Sequence, residues 1–194
     1  MSHSVLLVMD MINDLVHADG PSAKTYVPIM AQARTLERTA ELIARARAAG
    51  VRIGYVRVGF SPDYVQCPPN SPVFSAARDR GLFKLGGWGT EVHPLLAPQP
   101  GDLDIVKHRV SPFYGTPLEP TLRALGTRRL ILTGVSTNGV VHTGAREAHD
   151  RDYAAVVVED CCAGATEEEH RNALFCVKRF AQITTAAEVE FATG

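Results

Sequence analysis

Nothing in this chain approaches the roughly 20 consecutive apolar residues that a membrane-spanning helix requires, so no membrane partner is expected. Its opening apolar run, Val5 to Met9, stops at Asp10 and lacks the basic, apolar and small-residue order of a signal peptide. A cytoplasmic location is the expectation. An excess of either charge is missing too. The 20 Lys plus Arg stand against 21 Asp plus Glu, a formal net charge of −1 that offers phosphate backbones no broad attraction and makes a nucleic-acid partner unexpected. The four cysteines, Cys67, Cys161, Cys162 and Cys176, show no CxxC spacing, so neither a zinc site nor a disulfide framework is indicated and reduced, buried thiols are the default. Internal repeats, low-complexity tracts and linkers are also lacking, and 194 residues fit one domain spanning 1–194.

What is there is the composition of an ordinary globular protein, 45% hydrophobic and 21% charged, arranged as short apolar runs alternating with amphipathic stretches. Strands are expected at Ser4 to Met9, Val51 to Val58, Leu103 to Lys107, Arg129 to Thr133, Tyr153 to Val158 and Gln182 to Thr184. Helices are expected from Pro28 to Ala49, closed by Gly50, then at Leu118 to Leu125, Asn138 to Arg151 and Thr166 to Phe180. This order predicts an α/β fold of the Rossmann-like, doubly wound kind, a mostly parallel sheet of about six strands with helices on both faces. Gly59 to Pro100 is rich in Pro and Gly with a possible short helix from Pro72 to Arg80; so long an excursion reads as a functional loop or an oligomer contact.

Open parallel sheets bind ligands at the carboxyl ends of their strands, which directs attention to Asp10, Lys107 and the turn after Gly134. A carboxylate at a buried strand end can have a raised pKa suited to proton transfer, and an ammonium nearby can neutralise it or a developing oxyanion. Each residue also has a plainer reading, as a strand-end hydrogen-bond acceptor and as a solvated charge. The segment Gly134 to Tyr153, GVSTNGVVHTGAREAHDRDY, is more specific: a glycine turn leaves a strand and opens a helix, so backbone N–H groups near Ser136 to Val140 can bind an anion.

Asp10 with Asn13 after it, the stretch KHRVSPFYGTPLEPTLRALG from Lys107 to Gly126, and the GVSTN turn together resemble the isochorismatase-like hydrolases, over Ser4 to about Thr185. The amidases of that family use a cysteine six residues after the turn glycine, activated by an aspartate and a lysine. The resemblance assigns these two roles to Asp10 and Lys107 and places the nucleophile position on Val140, whose side chain can neither attack a carbonyl nor release a proton. It also implies a cis peptide between Val135 and Ser136, with Val135, Ser136, Thr137, Asn138, Gly139 and Val140 forming the oxyanion-binding turn, and a homodimer or homotetramer. Ser136, Thr137 and Thr143 are the nearby hydroxyls, and Cys161 and Cys162 follow a strand on the same side of the sheet; their plainer roles are backbone support and packing. Cys176 reads as a core position.

Asn13, Phe60, Trp88, Phe113, Tyr114 and His142 are candidate pocket residues. No metal or other cofactor is expected, because the loop Gly59 to Asn70, where the nicotinamidases of the family hold a metal, carries no histidine. The expected function is hydrolysis of a small molecule without a cysteine, Asp10 acting as general acid/base and Lys107 as its electrostatic partner, with vinyl-ether-type hydrolysis favoured over amide hydrolysis. The alternatives are a non-catalytic, small-molecule-binding or structural member of the family, and an amidase with a relocated thiol.

Overall fold

A computed structural model describes residues 3–191; residues 1, 2 and 192–194 of the domain expected over 1–194 lie outside the described residues. Six strands form one parallel sheet: β1 (Ser4–Met9), β2 (Arg52–Val58), β3 (Leu103–Lys107), β4 (Arg129–Val135), β5 (Ala154–Ala163) and β6 (Gln182–Thr184). Their order is β3-β2-β1-β4-β5-β6, so the winding reverses beside β1 and leaves a crevice between the carboxyl ends of β1 and β4. All six residues of β1 are buried, as expected for the central strand of a sheet covered on both faces.

Alternate residues of β1 serve opposite faces. Val5, Leu7 and Met9 pack with Leu118 and Leu122 of α5 (Leu118–Ala124), Ala145 and Ala148 of α6 (His142–Asp150) and Val177 of α7 (Glu167–Val177). Leu6 and Val8 pack with Met30 of α2 (Ala23–Ala33) and with Leu42, Ile43 and Ala46 of α3 (Thr35–Ala48). The two-residue period of the strand thus builds two cores from one segment.

Several boundaries differ from the sequence reading. The helix expected from Pro28 to Ala49 begins at Ala23, carries Pro28 inside it, and is split at Arg34, whose left-handed backbone (φ 53°) ends α2 before Thr35 starts α3. Helical residues also form α1 (Asn13–Val16), directly after Asp10, and α4 is only Ala77–Arg80. β4 continues through Gly134 to Val135, and β5 runs on past a bulge to Ala163, so Cys161 and Cys162 lie within the strand rather than after it. Cys176, expected in the core, is exposed on α7.

The excursion after β2 builds a third small core from Phe60, Tyr64, Phe74, Ala77, Leu82 and Phe83 against Ile12 and Val58. Its anchor is Asp14 of α1, whose buried carboxylate accepts the Phe83 N–H at 2.6 Å. Among the described residues no helix is long and apolar enough to cross a membrane.

Candidate active site

Asp10 leaves the end of β1 in a left-handed conformation (φ 55°), which Asp tolerates better than branched residues do. Its N–H donates to the Val56 carbonyl at 2.7 Å, and its Oδ1 accepts the Val58 N–H at 2.7 Å, so the end of the neighbouring strand holds the carboxylate. Lys107 closes β3, on the far side of β2, and its Nζ stands 2.7 Å from Asp10 Oδ2. The side chains are only 1% (Lys107) and 7% (Asp10) exposed, which makes this a buried ion pair rather than a solvated contact. Lys107 also donates to the Arg109 carbonyl at 3.0 Å; of its three N–H donors, one has no protein acceptor among the described residues.

Burial pushes the Asp10 carboxyl above its ordinary value, opposed by Lys107 and by the Val58 N–H. Desolvation outweighs the adjacent ammonium because the carboxylate has left bulk water almost entirely. The proton is therefore retained closer to neutrality than on a surface aspartate.

The third component is the turn after β4. Gly134 sits at φ 142°, where a Cβ would collide with the Met9 carbonyl, so only glycine lets β4 run this close to β1. A cis peptide joins Val135 to Ser136, where the resemblance implies one, and a π-helical turn, Thr137–Val141, leads into α6. The helix expected from Asn138 thus starts as a wider turn.

These elements enclose a cavity of about 490 Å³. Asp10 and Lys107 line it together with Val135, Ser136, Asn138, Gly139 and Val140; Thr137 does not, its hydroxyl being hydrogen-bonded with His170 Nδ1 at 2.8 Å. Val140 is 2% exposed and presents an aliphatic surface where the turn meets the cavity.

None of the six candidate pocket residues lines this cavity. Asn13 is buried under the excursion and donates to the Trp88 carbonyl at 2.9 Å. Phe60 lies behind the wall in the third core, Trp88 packs edge-on against His17, and Phe113 stacks on Tyr153 under Arg151. Tyr114 is exposed, and His142 accepts from Arg146 on α6 at 3.4 Å. An aromatic residue's position in sequence does not tell which of several cores it fills.

Sequence reasoning missed the residues that do form the wall: Leu15, Tyr26, Phe74, Arg80, Leu82 and Phe83. Tyr26, on α2, is hydrogen-bonded with Ser136, and its phenol is pushed up chiefly by burial. Arg80 closes α4, and its guanidinium has no hydrogen-bond or ion-pair partner among the described residues. Only its charge inside a Pro- and Gly-rich loop signalled it in the sequence.

The thiols stand apart. No cysteine lines the cavity; Cys161 is buried on the α3 side with its thiol pushed up to about 12 by desolvation, and Cys162, also buried, is raised as well. Neither forms a thiolate near neutral pH. Among the described residues no group of three or more His, Cys, Asp or Glu side chains is placed to hold a metal ion.

The sheet order, the strand-end pair and the cis turn make up one arrangement, and the family model described as the isochorismatase domain matches residues 4–188. The chain belongs to the isochorismatase family. It is an isochorismatase-like hydrolase. Its relatives include the ureidoacrylate amidohydrolases RutB of Methylorubrum extorquens, 34% identical over 81% of this chain and 68% of the relative, and of an Enterobacter species, 34% identical over 92% and 83%. Among solved structures, an isochorismatase family protein from Desulfovibrio vulgaris superposes with a TM-score of 0.86 at 25% identity, covering 96% of each chain. An N-carbamoylsarcosine amidase from Thermoplasma acidophilum gives 0.78 at 29% identity, covering 98% of this chain and 99% of its own.

Proposed function

We propose that this isochorismatase-like hydrolase cleaves a small molecule without covalent catalysis, with Asp10 as general acid/base and Lys107 as its electrostatic partner. The observation that carries the reading is the buried Asp10–Lys107 pair facing a cavity with Val140 in its wall and no thiol. Enol ethers suit this site better than amides. The proton of the Asp10 carboxyl passes to the enol ether carbon, leaving an oxocarbenium-like centre; water adds to that centre and returns a proton to Asp10. The hemiketal so formed breaks down to an alcohol and a carbonyl compound. Lys107 holds the carboxyl in place and stabilises its anion once the proton has left. The turn from Val135 to Val140 supplies backbone donors to a substrate oxygen, and Arg80 supplies a cation for an anionic group of the substrate.

The relatives are named as amidohydrolase and amidase, and that chemistry in this family needs a nucleophile which the valine does not provide. Turnover of isochorismate, ureidoacrylate, nicotinamide and carbamoyl amides by the purified protein tests the proposal. Vinyl-ether hydrolysis is expected, insensitive to thiol alkylation and reduced on the order of 10²–10⁴-fold in Asp10→Asn. An Asp10→Asn/Lys107→Met double variant, which leaves no unpaired buried charge, guards against loss of folding as the cause. Val140→Cys is expected to gain amidase activity. Amide turnover abolished by alkylation of the wild type overturns the reading; ligand binding without turnover of any compound favours a non-catalytic protein.

A further inference from the structure

Ser136 stands at the N-cap of the turn Thr137–Val141, a position where a serine hydroxyl ordinarily accepts a backbone N–H of the turn it opens. Here it makes no such bond. Its hydroxyl is hydrogen-bonded instead with the phenol of Tyr26, which reaches the turn from α2. Gly139 makes room for that placement: a Cβ at 139 would lie 2.7 Å from Ser136 Oγ, while the next nearest atoms stand off at 4.0 Å. The backbone of Gly139 has no positive φ, so space for the hydroxyl is what the glycine supplies.

Two hydroxyls carry two O–H donors, and their mutual bond uses one. Neither hydroxyl has another hydrogen-bond partner among the described residues. One donor and several lone pairs therefore remain on the wall of the Asp10–Lys107 cavity, which both residues line. The strand ends and turn around them contribute aliphatic surface to the same wall through Val58, Val135 and Val140, all buried. A water held against such a surface needs two or more polar partners. Asp10 offers one, and Tyr26 lies close enough to Asp10 for the carboxylate's charge to act on its phenol.

We propose that the Tyr26–Ser136 hydroxyl pair holds the water that adds to the substrate, so that both are further catalytic residues of this site. The assignment rests on the enol ether reading of the same cavity. Once the Asp10 carboxyl has given its proton to the carbon, the oxygen lone pair of this water forms the bond to the oxocarbenium carbon. One of its O–H bonds breaks, passing a proton to the Asp10 carboxylate, and the other stays intact and donated to the hydroxyl pair. The pair itself gains and loses no proton. Tyr26 remains a neutral phenol throughout, since burial holds its proton on.

Hydrolysis of isochorismate in D2O, followed by mass spectrometry of the product and of unreacted substrate, tests the pair. In the wild type, water captures the oxocarbenium before it reverts, so recovered substrate is expected to stay free of deuterium. In Tyr26→Phe and in Ser136→Ala capture is slower, and the cation returns a proton to Asp10. Deuterium is then expected in the vinyl CH2 of recovered substrate, with kcat lowered about tenfold and KM little changed. A purely structural role slows both halves of the reaction alike and leaves no deuterium there. Gly139→Ala is expected to reproduce the effect by displacing Ser136 Oγ, and to add nothing in a Ser136→Ala background, where the collision is gone. Absence of enol ether turnover in the wild type overturns the reaction assigned to Asp10 and this role with it. A wild type that turns over, with deuterium-free substrate recovered from Tyr26→Phe, overturns the water-holding role alone.

Discussion

Asp10 concentrates the chemistry because two opposing effects meet on one carboxyl. Burial raises its pKa while Lys107 at 2.7 Å and the Val58 N–H lower it, and burial prevails. A folded-state value above the ordinary carboxyl range keeps the acid form populated further toward neutrality, so an acid-dependent rate is high below that value and falls as pH rises through it. The pH dependence of kcat/KM for an enol ether substrate is therefore expected to decline on the alkaline side by about tenfold per unit once Asp10 ionises. A rate that instead climbs with pH through the same range identifies Asp10 as a base and removes the acid role. Asp10 and Lys107 were legible as strand-ending residues, since Met9 and Val106 before them are apolar and in strand. Their pairing was expected from the family resemblance, whereas strand pattern alone does not fix the register of β2 between them and so gives neither the 2.7 Å contact nor its depth of burial.

At the scale of elements, the excursion after β2 behaves as a wall rather than as a free loop. Asp14 reaches 69 positions along the chain to the Phe83 N–H, and a side chain at Gly89 would collide with the same carboxylate, so α1 and the excursion are fitted around one buried acceptor. Asp14→Ala leaves that N–H without its partner, at a cost of about 1–3 kcal/mol, and loosens Leu82 and Phe83 where they line the cavity. The expected result is a raised KM with earlier proteolytic cleavage between residues 61 and 80, seen in steady-state kinetics and limited digestion; an unchanged KM refutes the wall role. Leu103–Lys107 and Gln182–Thr184 fall at the bounds expected from their apolar runs. The break at Arg34 left no mark, because neither glycine nor proline stands there and Pro28 sits inside the preceding helix.

For the whole molecule, the exposed apolar side chains Val65 (72%), Tyr114 (68%) and Phe175 (67%) leave surface that association would cover. We propose the homodimer or homotetramer implied by the family resemblance. Sedimentation velocity at micromolar concentration is expected to show a species of two or four chains, and a single-chain mass there counts against it.

By itself the sequence determined the layers: apolar runs of strand length, interleaved with amphipathic helices, can bury both faces only in a covered parallel sheet, and the motifs around Asp10, Lys107 and Gly134 marked the family. Only tertiary structure decided which side chains outside the strand-end pair and the turn form the rest of the cavity wall. Phe60, Phe113 and Trp88 went to other contacts, while Tyr26 and Arg80 came to its wall from distant segments. The physical reason is range. Strand and helix periodicity is set by neighbours a few residues apart, whereas a cavity wall is set by contacts such as that of Asp14 with Phe83, which exist only once the sheet has brought remote segments together.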